Sequence, residues 1–195
     1  MDVIRARKLS KRFGEKRVLE RLDLEVDRGG FVLVTGPNGS GKTTLLRLCA
    51  GLAAPTGGEL EVDVPRESIG FLAHEPLVYR ELTALENLDL YGRLYRLPER
   101  RERAGAMLER FGLWRVRNER VATFSRGMLQ RLALSRALLH DPDLLLLDEP
   151  FDGLDAGRAE LLQLELAERS GATALVATHD PDALSQLATA RLVLA

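Results

Sequence analysis

The sequence predicts an α/β protein: a mostly parallel β-sheet with helices on both faces. Three observations predict it. First, Phe31 to Thr35, Leu144 to Leu147 and Ala174 to Thr178 are short runs with no polar face, as expected of strands buried on both sides. Second, stretches of helical spacing separate such runs, Lys42 to Leu52 after the first and Ala159 to Glu168 between the other two. Third, the glycine-rich stretch Gly36 to Gly41 falls between a strand and a helix. Strands alternating with helices imply parallel pairing and a sheet covered on both sides.

The remaining elements follow in order. Val18 to Val26 alternates, with Val18, Leu22, Leu24 and Val26 apolar, and reads as a half-exposed strand near the start. Pro55, Gly57 and Gly58 break the first helical pattern, and Ile69 to Ala73 is another short strand. From Leu82 to about Leu139 the spacing is helical with little strand signal. This middle reads as an insertion, so a single domain would comprise a core of residues 1–75 and 140–195 and a helical subdomain of about residues 76–139. A length of 195 residues suits one domain.

Composition excludes several classes. With 28 Lys and Arg against 29 Asp and Glu, the net charge of −1 argues against a nucleic-acid coat protein. The single cysteine, Cys49, allows no intrachain disulfide and reads as a small buried apolar side chain. No run approaches the ~18 apolar residues of a membrane-spanning helix. Met1 to Gly14 is charged throughout and lacks the apolar core of a signal peptide. The expectation is a cytoplasmic protein that something else anchors if it works at a membrane.

The strongest chemical signal is Gly36-Pro37-Asn38-Gly39-Ser40-Gly41-Lys42-Thr43, followed by Thr44, which matches the phosphate-binding loop pattern in full. The glycines let the backbone curl until successive N–H groups face one anion. The next helix points its positive end at the same place. Lys42 can reach β- and γ-phosphates, and the Thr43 hydroxyl can ligate Mg²⁺. The bland alternative is a glycine-rich turn. A strand before and a helix after the stretch weigh against it.

The second signal is Leu144-Leu-Leu-Leu-Asp148-Glu149. A buried strand ending in two acids sets carboxylates at the sheet's carboxyl edge, beside the phosphate loop. Asp148 can hold Mg²⁺, and Glu149 can orient or deprotonate an attacking water.

The third signal, Phe124-Ser125-Arg126-Gly127-Met128-Leu129-Gln130-Arg131, resembles the signature motif of ATP-binding-cassette (ABC) ATPases. The resemblance covers essentially the whole chain. It implies a P-loop ABC nucleotide-binding domain with antiparallel strands at the N-terminus and an inserted helical subdomain. It assigns Ser125 and Gly127 to the γ-phosphate of a nucleotide bound by a partner subunit. Arg126 departs from the commonest signature, which has glycine there.

Other assignments come from the resemblance alone. Phe13 falls where the family stacks an aromatic ring on adenine, Asp155 in the loop that crosses the dimer interface, and His179 at the switch histidine that touches the γ-phosphate. His74, in Phe71-Leu-Ala-His74-Glu75-Pro76, stands where the family usually has a glutamine that helps ligate Mg²⁺. Two readings stay open for it: a nitrogen ligand to metal or water, or a structural histidine with the role lost or passed to Glu75.

His74-Glu75-Pro76 followed by Leu82-Thr-Ala-Leu-Glu-Asn-Leu88, with Asp148-Glu-Pro-Phe151, resembles the ATPase subunits of haem exporters in cytochrome c maturation. The family implies ATP and Mg²⁺ as cofactors and transmembrane permease subunits as partners. It also implies a head-to-tail homodimer or pairing with a second ABC subunit, peripheral on the inner face of the membrane. No direct nucleic-acid contact is expected. Three classes of function compete: the motor of a haem or other small exporter, a soluble cassette ATPase on a cofactor-assembly or nucleic-acid partner, and a plain nucleotide kinase. The signature motif disfavours the kinase, and the absence of a second cassette or a long coiled-coil insertion favours the exporter. Within Arg93 to Arg120, nine arginines face four glutamates. That stretch is either a solvated helical face or a docking surface for a membrane subunit or anionic headgroups.

Overall fold

The computed structural model describes residues 1–169 and 171–195. In chain order the main elements are β1 (Asp2–Phe13), β2 (Lys16–Asp27), β3 (Phe31–Thr35), α1 (Lys42–Cys49), β4 (Gly57–Val62), β5 (Ile69–Leu72), α2 (Ala84–Leu94), α3 (Arg100–Arg110), α4 (Arg126–Leu138), β6 (Leu144–Asp148), α5 (Ala156–Glu168), β7 (Thr173–Ala177) and β8 (Ala190–Val193). Two sheets result: an antiparallel one in the order β2-β1-β4, and a parallel one in the order β5-β6-β7-β3-β8. The expected α/β class, with a parallel core and antiparallel strands at the N-terminus, is therefore present.

Strands β3, β6 and β7 are buried along their whole lengths, and period 2 sends alternate side chains to opposite faces. Val32, Val34, Leu144, Leu146, Leu175 and Ala177 join one core with α1 and the antiparallel sheet. Leu33, Leu145, Leu147, Ala174 and Val176 join the other core, built with α2, α3, α4 and α5. Both faces are thus covered, which is why these strands carry unbroken apolar runs. Cys49 is buried, and burial pushes its thiol up to about 12, out of reach of ordinary thiolate chemistry.

The helical middle departs from the core after β5 and returns at β6. Thr83 and Glu86 start α2 with a reciprocal capping box: the Glu86 N–H donates to Thr83 Oγ1 at 3.2 Å and the Thr83 N–H to Glu86 Oε2 at 2.8 Å. Part of the arginine excess is paired internally. Arg93 and Arg100 converge on Asp89 at 2.9 and 2.8 Å, clasping α2 to α3. Arg110, at the end of α3, pairs with Glu165 and Glu168 of α5.

Several expectations need correction. The helix after the glycine loop ends at Cys49, not Leu52, because Gly51 turns the backbone left-handed at φ 67°. The helix expected from Ala159 begins at Ala156, where Asp155 caps it. The alternation of Val18 to Val26 is interrupted at Arg21, φ 49°, so Leu19 is the buried partner of Leu24 and Val26 while Val18 is only half-buried. The resemblance implies antiparallel strands at the N-terminus, but the sequence pattern places only β2 there and gives no residue range for β1, β4 or β8.

Candidate active site

The cleft is built from the carboxyl ends of β3, β6 and β7. After β3 the chain curls through Gly36, Gly39 and Gly41, all at positive φ, before α1 begins at Lys42. Two of these glycines are required by space. A Cβ on Gly36 would clash with the Leu194 carbonyl oxygen and lie 2.8 Å from Ser40 Oγ; one on Gly41 would meet Leu19 Cδ2 at 2.7 Å. The loop is thereby clamped between the chain's final strand and the N-terminal hairpin. Lys42 is 8% exposed, and its Nζ donates to the carbonyls of Gly36 at 2.8 Å and Pro37 at 3.2 Å. Ser40 Oγ is buried with no protein partner among the described residues.

Across the cleft floor, the Thr43 hydroxyl donates to Asp148 Oδ2 at 2.7 Å. Asp148 is 2% exposed; burial pushes its carboxyl up from the usual carboxylate range, and the Thr43 hydrogen bond opposes that. Glu149 follows at φ 49°, with its N–H donating to the Ala177 carbonyl at 2.9 Å. Its Oε2 accepts the His179 backbone N–H at 3.1 Å and lies 2.8 Å from His179 Nδ1. Two neighbouring strand ends therefore hold one carboxylate between them. His74 lies on the same cleft, exposed, and close enough to bear electrostatically on Asp148.

The cleft has a volume of about 640 Å³. Asn38, Gly39, Gly41, Lys42, Thr43 and Thr44 line one wall, with His74, Glu149, Asp152 and His179 opposite. Lys16 and Val18 of the hairpin also line it; neither was anticipated, since nothing local marks a hairpin residue as facing a loop twenty positions on. Phe13 does not line it: it is 55% exposed near the hairpin turn, beneath Lys11 Nζ at 4.9 Å. Gly36, Pro37 and Ser40 build the loop from behind.

Ser125, Gly127 and Asp155 lie outside the cleft, at helix starts. Ser125 caps α4 by accepting the Met128 N–H at 3.3 Å, and Asp155 caps α5 by accepting the Arg158 N–H at 2.9 Å. Gly127 packs against the Gly153 carbonyl, which a Cβ would approach to 2.8 Å. Arg126 pairs with Asp152.

Among the described residues, no group of three His, Cys, Asp or Glu side chains is arranged to hold a metal. Thr43 and Asp148 nonetheless present hard oxygens side by side, the donor set that suits Mg²⁺ shared with phosphate oxygens. The residues fit that ion; His74 would add a softer nitrogen donor. The loop offers what a polyphosphate needs: backbone N–H groups, a helix start and a lysine.

Fold and cleft together define a P-loop nucleotide-binding domain. Residues 19–152 match the family model described as ABC transporter, and the chain belongs to that family. It is 42% identical over 191 residues to the daunorubicin resistance ATP-binding protein DrrA3 of Streptomyces coeruleorubidus, an alignment covering 91% of this chain and 60% of that protein. It is also 42% identical to the aliphatic sulfonates import ATP-binding protein SsuB 3 of Rhodococcus jostii, covering 94% of this chain and 68% of that one. The chain thus spans only about 60% of the first of these relatives. A dimeric ATP-binding cassette in a post-hydrolysis state, bound to ADP and Pi, superposes with a TM-score of 0.85 at 31% identity, covering 98% of this chain and 94% of that one.

Proposed function

We propose that this chain is the ATP-hydrolysing subunit of a membrane exporter and works as a head-to-tail pair with ATP at the interface. The observation that carries the reading is the Glu149 carboxylate, held at the cleft by two contacts from His179 and facing the glycine loop. The loop N–H groups and Lys42 bind and orient the triphosphate. Mg²⁺ held by Thr43 and Asp148 would neutralise charge on the β- and γ-phosphates. A water oxygen attacks the γ-phosphorus while its proton passes to Glu149, and the bridging oxygen leaves on ADP. His179 orients Glu149 and touches the γ-phosphate. Phe13 takes the adenine, reaching it from the hairpin that also supplies Lys16 and Val18.

Ser125 and Gly127 are exposed or half-buried and outside their own chain's cleft, which supports a role at a second copy's nucleotide. Asp155 would meet the partner at the same interface. Closing and opening of the pair would rock membrane subunits between two states. No helix among the described residues is long and apolar enough to cross a membrane, so permease subunits would hold the chain at the inner membrane face.

Transport direction and cargo rest on the run His74-Glu75-Pro76 and its continuation to Leu88, which resembles haem exporters; the relatives named above are a drug-resistance protein and an importer. Haem export is tested by deleting the gene and staining c-type cytochromes for haem: loss of staining, restored by haem-loaded periplasm, supports it. Hydrolysis and pairing are tested together by Glu149→Gln. This variant is expected to bind ATP, to lose turnover and to elute as an ATP-dependent dimer. Full turnover by it would show Glu149 to be misassigned.

A further inference from the structure

The segment after Glu149 has an unusual need for support. Glu149 carries a Cβ at a left-handed φ of 49°, and the next residue is Pro150, which has no N–H. The peptide linking them can therefore be held only through the Glu149 carbonyl. Two groups hold it: the Asp152 N–H at 3.1 Å and the side-chain amide of Gln130 at 3.3 Å. The same Gln130 Nε2 donates to the Pro150 carbonyl at 3.2 Å. One carboxamide thus pins both peptide planes that follow the carboxylate. Gln130 is 5% exposed, so water does not compete for these bonds.

Gln130 belongs to the second turn of α4, and the first turn grips the same loop. Arg126 pairs with Asp152, its chain lying over Gly153, and Gly127 abuts the Gly153 carbonyl. The signature helix and the Glu149–Gly153 turn are therefore fastened at three points.

We infer that Gln130 is a positioning residue for Glu149, through which the signature helix sets the carboxylate of its own chain. The inference rests on the proposed role of Glu149. A helix whose first turn meets the partner's nucleotide then also orients the base that serves its own.

The test uses Gln130→Met, which keeps length and removes the donor. ATP affinity and ATP-dependent dimerisation in the Glu149→Gln background should stay near wild type and the melting temperature should fall by only about 2–4 °C, while the single-turnover rate falls about tenfold. Differently tagged chains then separate own-chain from cross-chain action. A chain carrying both Gln130→Met and Glu149→Gln, paired with wild type, retains one intact site and about half the single-turnover amplitude. With the two substitutions on opposite chains, fast turnover disappears. The inverse pattern, equal loss in both pairings, or a wild-type rate for Gln130→Met overturns the inference. If Gln130→Met fails to fold, Gln130→Glu keeps the shape and replaces the donor with an acceptor; it should lose turnover equally, and a wild-type rate refutes the proposal. Wild-type turnover by Glu149→Gln alone would instead refute the assignment of Glu149, before any pairing is interpreted.

Discussion

The Thr43 hydroxyl donates to Asp148 Oδ2 at 2.7 Å, joining the first turn of α1 to the last residue of β6. Removing that hydroxyl takes away one oxygen of the proposed Mg²⁺ donor pair and leaves Asp148 more deeply desolvated. Thr43→Val is expected to weaken ATP binding about tenfold with Mg²⁺ present, near 1.4 kcal/mol, and to leave it unchanged in chelator. Titration of a fluorescent ATP analogue in both conditions checks this; equal weakening in the two would place Thr43 on the loop's architecture instead.

The glycines of the loop separate into two kinds. Gly36 has no room for a Cβ beside the Leu194 carbonyl, whereas nothing lies within 4 Å of a Cβ on Gly39. Gly36→Ala should cost about 3 kcal/mol through the clash and backbone displacement. Gly39→Ala should cost about 1 kcal/mol, from its positive φ alone. Urea unfolding without nucleotide distinguishes them, and equal losses would show that clearance does not govern the loop.

The loop, the acidic strand end and the buried parallel strands were legible because each is a local pattern with a local cause. The antiparallel sheet was not. Lys8 and Arg21 both adopt φ 49°, and the pairing of β1 shifts register around them, so the period-2 signal that marks a strand is broken. Gly57 and Gly58 look like helix breakers in sequence, yet they begin β4. Gly58 lies so close to the Lys8 carbonyl that no side chain fits, and glycine there accommodates the irregularity of β1. Strand β8 is short and mostly exposed, with one half-buried residue, and offered no apolar run. At the site, Thr43, Asp148, Glu149 and His179 could be named from motif and resemblance. Lys16, Val18 and the clamp by Gln130 could not, since they depend on how distant segments pack.

Glu165 is 1% exposed and lies between Arg110 of α3 and Arg169, the latter at 2.9 Å. Arg169 also reaches Asp141. Glu165→Ala would leave two guanidinium groups without their buried counter-charge and should destabilise the fold by about 3 kcal/mol. Arg110→Ala should cost about 1 kcal/mol, because Arg110 is half-exposed and Glu165 keeps Arg169. Chemical denaturation of the two variants checks the ranking; a larger loss for Arg110→Ala would contradict it.

His140 stacks on Tyr95, ring centroids 3.9 Å apart, with Nε2 3.2 Å from the Ile69 carbonyl. Burial pushes its pKa down from 6.5 to about 4, so the folded chain binds fewer protons than the unfolded one between those values. Stability is therefore complete above about pH 6.5 and is lost as pH falls towards 4. Allowing for partial exposure, the chain should be about 1 kcal/mol less stable at pH 5 than at pH 7 from this group. Comparison with His140→Phe isolates it. If the variant shows the same pH dependence, His140 is not responsible.

The left-handed backbone at Glu149 sets thermal robustness against the turnover proposed for its carboxylate. Glycine would relax there by about 1 kcal/mol, whereas other side chains keep the steric resistance of a Cβ, least for Asn and Asp and most for β-branched residues. A laboratory selection for heat resistance alone should therefore drift towards Glu149→Gly and discard the carboxylate. Only a screen that also demands catalysis would keep the acid in place.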